Sequence, residues 1–227
     1  RAENGVLEGN PCHRIALEVA RCVGVDFLFN VAVTRDRQIA GIYCGELEEA
    51  HLAGCRQVAG WTQACVRGPY DLVVTTGGGY PLDQTFYQTV KGMCGALPAL
   101  GSGSMLLVLS ECAEGLGSRA YTDLMLAYGR DWRRFLAEAS ARRGDTRLDQ
   151  WQLQMQARVL DRIGVERLLV AADGVPASVL SRIAATPVPG GAVAAERAQA
   201  LIDRFVACRP GCRMAVIPDG PYTMLVR

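Results

Sequence analysis

Gln88 and Lys91 stand three residues apart, shortly after a run of three glycines at Gly77, Gly78 and Gly79. On a helix, positions i and i+3 share a face. Lysine brings a compact positive charge and glutamine a directed amide donor, so this pair has the chemistry to hold a small carboxylate. A solvated helix face with the same two residues is the other reading of that spacing. The glycine run closes a β-branched stretch, Asp71–Thr76, and precedes a helical pattern. Glycine there lets backbone N–H groups approach an anion closely, as a cofactor phosphate would require; a plain tight turn is the alternative. Tyr80 and Tyr87 bracket the start of that helix. Trp151, between Gln150 and Gln152, is either a pocket wall or a half-buried anchor.

Other constellations are absent or weaker. Leu82 occupies the place of the third glycine in a G-x-G-x-x-G dinucleotide fingerprint, and no G-x-x-x-x-G-K-[ST] loop or G-x-S-x-G elbow occurs. His13 and His51 lie in different helical segments without a carboxylate partner, and surface or capping roles are expected for both. Cys208 and Cys212 are spaced to approach each other, but two histidines in the whole chain make a poor zinc site.

Regular elements must position these groups. Asn10-Pro11 starts a helix that Gly24 stops. Asp26–Thr34 and Ile39–Cys44 read as strands joined by the turn Arg35–Gln38, and Glu46 to about Ala64 as a second helix. From Gly68-Pro69 onward the pattern becomes strand, glycine loop, helix, twice over: Asp71–Thr76 then a helix from about Leu82 to Leu97, and Met105–Ser110 then helix to about Ala141. After the polar break Arg142–Asp145 come a helix at about 148–163, a strand at 167–172, a short helix at 177–185, a loop at 186–191, a helix at 192–208 and a last strand at 214–217. Such repeats predict an α/β fold, a Rossmann-like parallel sheet with helices on both faces.

Composition sets bounds. The chain has 227 residues, enough for one large domain or two small ones. Lys plus Arg is 24 against 23 for Asp plus Glu, a formal net charge of +1, which argues against a polyanion or nucleic-acid binder. No apolar run is long enough to span a membrane, and no secretory signal is expected. Nine scattered cysteines without a C-x-x-C pair read as small reduced core residues of a cytoplasmic protein. The first residue is Arg1 rather than Met, which leaves two expectations open: a segment upstream that was processed or left out, or a chain that begins near Arg1.

The stretch Asp71–Gln84 (DLVVTTGGGYPLDQ), continued by Phe86–Met93 (FYQTVKGM), closely resembles the nickel-dependent lactate racemase family. Leu7–His13, Val25–Phe27 with Asn30-Val31, Gly45 with Glu49–His51, Asp149–Trp151 and Ile217–Pro221 agree with it, so the resemblance spans essentially the whole chain. It implies interconversion of 2-hydroxy acid stereoisomers by hydride transfer to a nickel pincer nucleotide tethered to a lysine. It also implies that Lys91 and Gln88 hold the substrate carboxylate, with Tyr87 and Trp151 as aromatic neighbours.

The family has two interleaved lobes, and only its carboxyl-terminal portion is matched. The tethering lysine, the nickel-binding histidine and the acid–base histidines have no counterpart here, and His13 and His51 match other positions. By this analogy residues 1–66 form a helix–hairpin–helix segment of the first lobe. Residues 67–149 and 206–227 form the carboxyl-terminal α/β lobe, and 150–205 a linker helix and returning segment of the first lobe. The chain is expected to expose apolar surface that the missing amino-terminal lobe covers, and to be inactive alone. A non-catalytic hydroxy-acid binding module, or a lobe that closes over a cofactor-bearing partner, is the alternative.

Overall fold

Asn10 caps the first helix: its side chain accepts the Cys12 N–H at 2.9 Å, Pro11 takes the first helical position, and Gly24 ends the helix at φ 77°. In this computed structural model, which describes residues 2–34, 36–142 and 144–226, the chain forms two units, 1–64 and 65–227. Arg35 of the expected turn and Arg143 of the expected polar break lie outside the described residues.

The first unit holds α1 (Pro11–Val23), the antiparallel hairpin β1 (Leu28–Val33) and β2 (Ile39–Gly45), and α2 (Leu47–Thr62). The Tyr43 ring packs against Gly41 and Gly54, and Arg21 pairs with Glu48 at 2.5 Å. Its apolar periodicity points outward. Ile15, Val19 and Val23 recur every fourth residue along α1. Phe27, Phe29, Val31 and Val33 recur every second residue into and along β1. All seven are exposed, Phe27 and Phe29 at 62% and 65%. Ala50 is the one buried apolar residue among those described in this unit.

The short strand β3 (Gln63–Cys65) stands where the chain passes from one unit to the next. The second unit is built on a five-stranded, all-parallel sheet of β4 (Tyr70–Thr76), β5 (Leu100–Ser110), β6 (Leu168–Ala172), β7 (Thr186–Pro187) and β8 (Met214–Ile217), in the order β7-β6-β5-β4-β8. A strand β9 (Met224–Val226) follows. The central strands β4, β5 and β6 are buried on both faces along most of their length, and their period of two sorts the core. Val73, Leu106, Val108, Leu168 and Val170 face one layer, and Leu72, Val74, Leu107, Leu169 and Ala171 the other. The first layer is covered by α3 (Phe86–Gly95), α4 (Arg119–Tyr128), α5 (Trp132–Ala141) and α6 (Gln150–Ile163). A one-turn helix, α7 (Ala177–Leu180), adds Leu180 to it, and α8 (Ala194–Cys208) covers the second layer. This is the doubly covered parallel sheet expected from the sequence.

Three findings refine the expectations. Within this chain residues 150–205 belong to the second unit: α6 packs on α3 and β5, and β6 and β7 are strands of the same sheet. The helix expected to run to about Ala141 is two helices, parted at Gly129 (φ 54°), with Asp131 capping the second through Arg134 N–H. All nine cysteines are free, but only Cys94 and Cys112 are buried; Cys12, Cys22, Cys44, Cys65 and Cys208 are exposed. The first three belong to the unit whose apolar faces have no core of their own.

Candidate functional site

In an open parallel sheet, ligands favour the crevice where strand order reverses, beyond the carboxyl ends of the strands. Here that crevice lies between β4 and β8, and the chain fills it with its own turn Gly220–Tyr222. Thr76 Oγ1 donates to the Pro218 carbonyl at 2.6 Å, and a Cβ on Gly220 would stand 2.7 Å from the Thr76 carbonyl oxygen. A Cβ on Gly95 of α3 would lie 2.7 Å from the Gly220 oxygen, so helix and turn are in backbone contact.

The three-glycine loop is drawn into the same packing. Gly77 N–H donates to the Leu109 carbonyl at 2.8 Å, and Gly78 N–H to Thr76 Oγ1 at 3.0 Å. A side chain at Gly77 would meet Ser110 Oγ at 2.6 Å and Asp83 Cβ at 2.7 Å. Close packing accounts for Gly77, and the left-handed backbone for Gly78 (φ 95°) and Gly79 (φ 72°). The amides of Gly77 and Gly78 are already engaged, which removes them from the anion cradle the sequence left open.

The open space lies on the other side of β4, above β5. The loop after β5 receives the first turn of α3: Phe86 N–H donates to the Gly115 carbonyl at 2.9 Å and Tyr87 N–H to Leu116 at 3.0 Å. These bonds satisfy donors that a helix start leaves free. Thr85 caps the same turn through Gln88 N–H at 3.4 Å. Gly117, at φ 127°, allows the Tyr87 side chain in; a Cβ there would stand 3.0 Å from Tyr87 Cβ. From α6, Trp151 meets Tyr87 edge-on at 5.7 Å between ring centroids, while Tyr121 meets it edge-on from α4 at 5.1 Å.

These elements border an open cavity of about 390 Å³ lined by Thr85, Tyr87, Gln88, Glu114, Gly117, Ser118 and Asp149. Two of the sequence candidates, Tyr87 and Gln88, are in its wall. Trp151 stands against Tyr87, half exposed. Lys91, the chain's only lysine, is exposed one turn further along α3. Gly77, Gly78 and Gly79 do not line the cavity, and Tyr80 is exposed outside it. The Gln88 Oε1 atom is buried without a hydrogen-bond partner, an acceptor at the wall that the chain itself leaves unmatched.

Electrostatics at this wall are uneven. Burial pushes the Tyr87 phenol up, the Asp149 carboxylate adds to the rise, and a hydrogen bond from Trp151 opposes it. Tyr121, fully buried, is held well above the usual tyrosine range, chiefly by burial. Glu114 and Asp149 place two carboxylates on the cavity, and Lys91 stands on the same helix as Tyr87 and Gln88. The lining itself carries these two carboxylates and no cation.

Sequence reasoning reached α3 and Trp151 but missed Ser118 and Asp149 as a pair. Ser118 Oγ donates to Asp149 Oδ2 at 2.5 Å across 31 residues, a contact no local spacing signals. The other pair of reactive groups is in the first unit, where the His13 and His51 rings stack at 5.4 Å and Cys55 Sγ lies 3.5 Å from His51 Nε2. The surface or capping roles expected for the two histidines give way to this stack, in which both are partly buried.

Comparison with known proteins agrees with this architecture. Residues 66–225 match the family described as the lactate racemase C-terminal domain. Over all 227 residues the chain is 30% identical to a lactate racemase of Thermoanaerobacterium thermosaccharolyticum, covering 50% of that protein. Over 161 residues, 70% of this chain and 38% of the relative, it is 34% identical to a lactate racemase of Lactiplantibacillus plantarum. The structure of the lactate racemase apoprotein from T. thermosaccharolyticum superposes on 98% of this chain and 51% of its own, with a TM-score of 0.86 and 29% identity. The chain thus spans half or less of the length of the curated relatives it matches. By its fold, its matched domain and its relatives, the chain belongs to the lactate racemase family, as a carboxyl-terminal portion.

Proposed function

We propose that this chain is part of a racemase or epimerase that interconverts the stereoisomers of a 2-hydroxy acid such as lactate. The observation that carries this reading is the meeting of Tyr87 and Gln88 from α3 with Asp149, just before α6, around one cavity, with Trp151 of α6 edge-on to Tyr87 and Lys91 one turn along α3. In this reading Lys91 supplies the charge that holds the substrate carboxylate. The Gln88 amide bonds its second oxygen or the α-hydroxyl, and Tyr87 and Trp151 form the wall against which the carbon skeleton rests. Glu114 and Asp149 turn the carboxylate end toward Lys91 by repulsion.

The residues present do not fit a nickel pincer nucleotide. Among the described residues no group of three His, Cys, Asp or Glu side chains is placed to hold a metal ion. The two histidines stack on each other in the first unit, and the one lysine is already assigned to the substrate. The proposal therefore puts the cofactor, its lysine tether, the nickel and the acid–base histidines in an amino-terminal lobe. The exposed faces of α1 and β1 in the first unit are the surfaces proposed to pack on that lobe, since apolar faces of this extent require a cover. Without it the chain is inactive. No helix among the described residues is long and apolar enough to cross a membrane, and nine free cysteines fit a reducing compartment, for which we propose the cytoplasm.

Titration of the native gene product with D- and L-lactate and larger 2-hydroxy acids, by calorimetry and by turnover, tests the reading. Binding with turnover is expected, both lost in Lys91→Ala. Binding without turnover in nickel-loaded protein would favour the binding-module alternative, and absence of both would overturn the assignment.

A further inference from the structure

We propose that the hydroxy acid taken by this site is polyhydroxylated, an aldonic acid, with Glu114 and Asp149 as specificity-determining residues that accept hydrogen bonds from its hydroxyls beyond the α-carbon. This rests on the functional reading above and names the substrate class within it.

The side chains lining the cavity are Thr85, Tyr87, Gln88, Glu114, Ser118 and Asp149, and none is aliphatic. Small-molecule sites are lined mostly by apolar groups, with a few placed polar ones. Here that proportion is inverted, and Tyr87 alone offers a ring. The wall is also short of donors for its own acceptors. Gln88 Oε1 is buried without a partner. Asp149 Oδ2 accepts from the Ser118 hydroxyl at 2.5 Å, and Ser118 Oγ accepts the Tyr121 N–H at 3.1 Å, so Ser118 is already engaged in both roles. Among the described residues no donor or cation engages Asp149 Oδ1 or the Glu114 carboxylate. Acceptors without a partner thus face the cavity beside the Tyr87 phenol, the Thr85 hydroxyl and the Gln88 amide N–H groups, which can donate.

Other kinds of hydroxy acid fail on one of these groups. A second carboxylate meets Glu114 and Asp149 as like charges. A hydrocarbon or aromatic tail takes both carboxylates out of water and returns no hydrogen bond. An ammonium satisfies the carboxylates but has no lone pair for the Tyr87 and Thr85 hydroxyls. A space of about 390 Å³ is on the scale of sites that take ligands much larger than a three-carbon acid. A hydroxyl both donates and accepts, so a chain of hydroxyls answers the whole lining. With the substrate carboxylate at Lys91, Gln88 Oε1 takes the α-hydroxyl, the Tyr87 ring takes the C–H face of the carbon chain, and the hydroxyls further along bond Glu114 and Asp149.

Two six-carbon acids differ only in those further hydroxyls: gluconate and 2-hydroxyhexanoate. In the native gene product, kcat/KM for gluconate should exceed that for 2-hydroxyhexanoate at least about a hundredfold, because a site built to bond hydroxyls rejects the analogue lacking them. Glu114→Gln, at an exposed position, should cut that ratio about tenfold through KM at unchanged melting temperature, and Asp149→Asn should do the same. A ratio near one, a preference for malate or for the ammonium-bearing isoserine, or a ratio untouched in Glu114→Gln overturns the proposal. Should Asp149→Asn fail to fold, Glu114→Gln decides alone. Turnover of lactate with no preference for gluconate overturns the substrate class and leaves the racemase reading standing. If no hydroxy acid is turned over, that reading has failed, and calorimetry with the same two acids still decides: tighter binding of gluconate supports the hydroxyl-binding wall, and equal or weaker binding overturns it.

Discussion

The side chain of Gln152, 1% exposed within α6, donates from Nε2 to the main-chain carbonyl of Tyr87 in α3. That carbonyl belongs to the helical turn carrying Gln88 and Lys91. One buried amide thus ties the helix that bears Trp151 to the helix that bears the other candidate ligand residues, fixing the spacing of the cavity's two walls.

Gln152→Ala should therefore do more than create a small void. Removing the donor and its packing should cost about 1–3 kcal/mol in urea unfolding and weaken hydroxy-acid binding as well. Unchanged stability would show that the bond holds nothing in place.

Gly117→Ala tests the other side of Tyr87. The backbone at φ 127° resists a side chain, and the added Cβ would press on Tyr87 Cβ at 3.0 Å. A loss of about 1–3 kcal/mol in stability is expected, with Trp151 fluorescence altered as Tyr87 shifts. A stable variant with native fluorescence would contradict this placement of Tyr87.

Much of this was legible in the sequence. Asn10-Pro11 and Gly24 delimit α1 as expected because caps act locally. The β-branched stretch ending at Thr76 and the apolar run Met105–Ser110 mark the two central strands because both of their faces are buried. Gln88 and Lys91 are recognisable because helical spacing is local too. Other features depend on contacts between distant residues. Leu100–Ser104 extends β5 although Gly-Ser-Gly-Ser reads as a loop, because β4 supplies its partner at Tyr70. Thr186-Pro187 becomes an edge strand only through pairing with β6. The helix expected from Leu82 begins as α3 at Phe86, since Thr85 is extended and caps it. The Ser118–Asp149 bond joins two loops and leaves no periodic trace.

Cysteine chemistry offers a pH test. Burial pushes the Cys94 thiol up to about 12 from an ordinary value of 9.0, and raises Cys112 as well. A group that binds its proton more tightly when folded gives stability that is complete below the unfolded value. That stability is lost as pH rises toward the folded one. Unfolding free energy should therefore fall from about pH 9 upward, by at most about 1.4 kcal/mol per pH unit for Cys94. Cys94→Ala should flatten the slope. An unchanged slope between pH 9 and 11 would show that Cys94 is not held protonated by the core.

Lys91→Ala separates function from fold. Lys91 is exposed, so its removal should change stability by no more than about 0.5 kcal/mol. Its loss should nonetheless abolish carboxylate binding, and Gln88→Ala should weaken binding to a lesser degree.

The most direct measurement is the stereochemical fate of a single enantiomer. The native gene product, loaded with nickel and its cofactor, is incubated with L-lactate or a larger 2-hydroxy acid and followed by chiral chromatography beside Lys91→Ala. Conversion to the D isomer by the wild type, falling at least about a hundredfold in a well-folded Lys91→Ala, is the predicted result. Equal conversion by both proteins would contradict the assignment of the α3 turn as the carboxylate site.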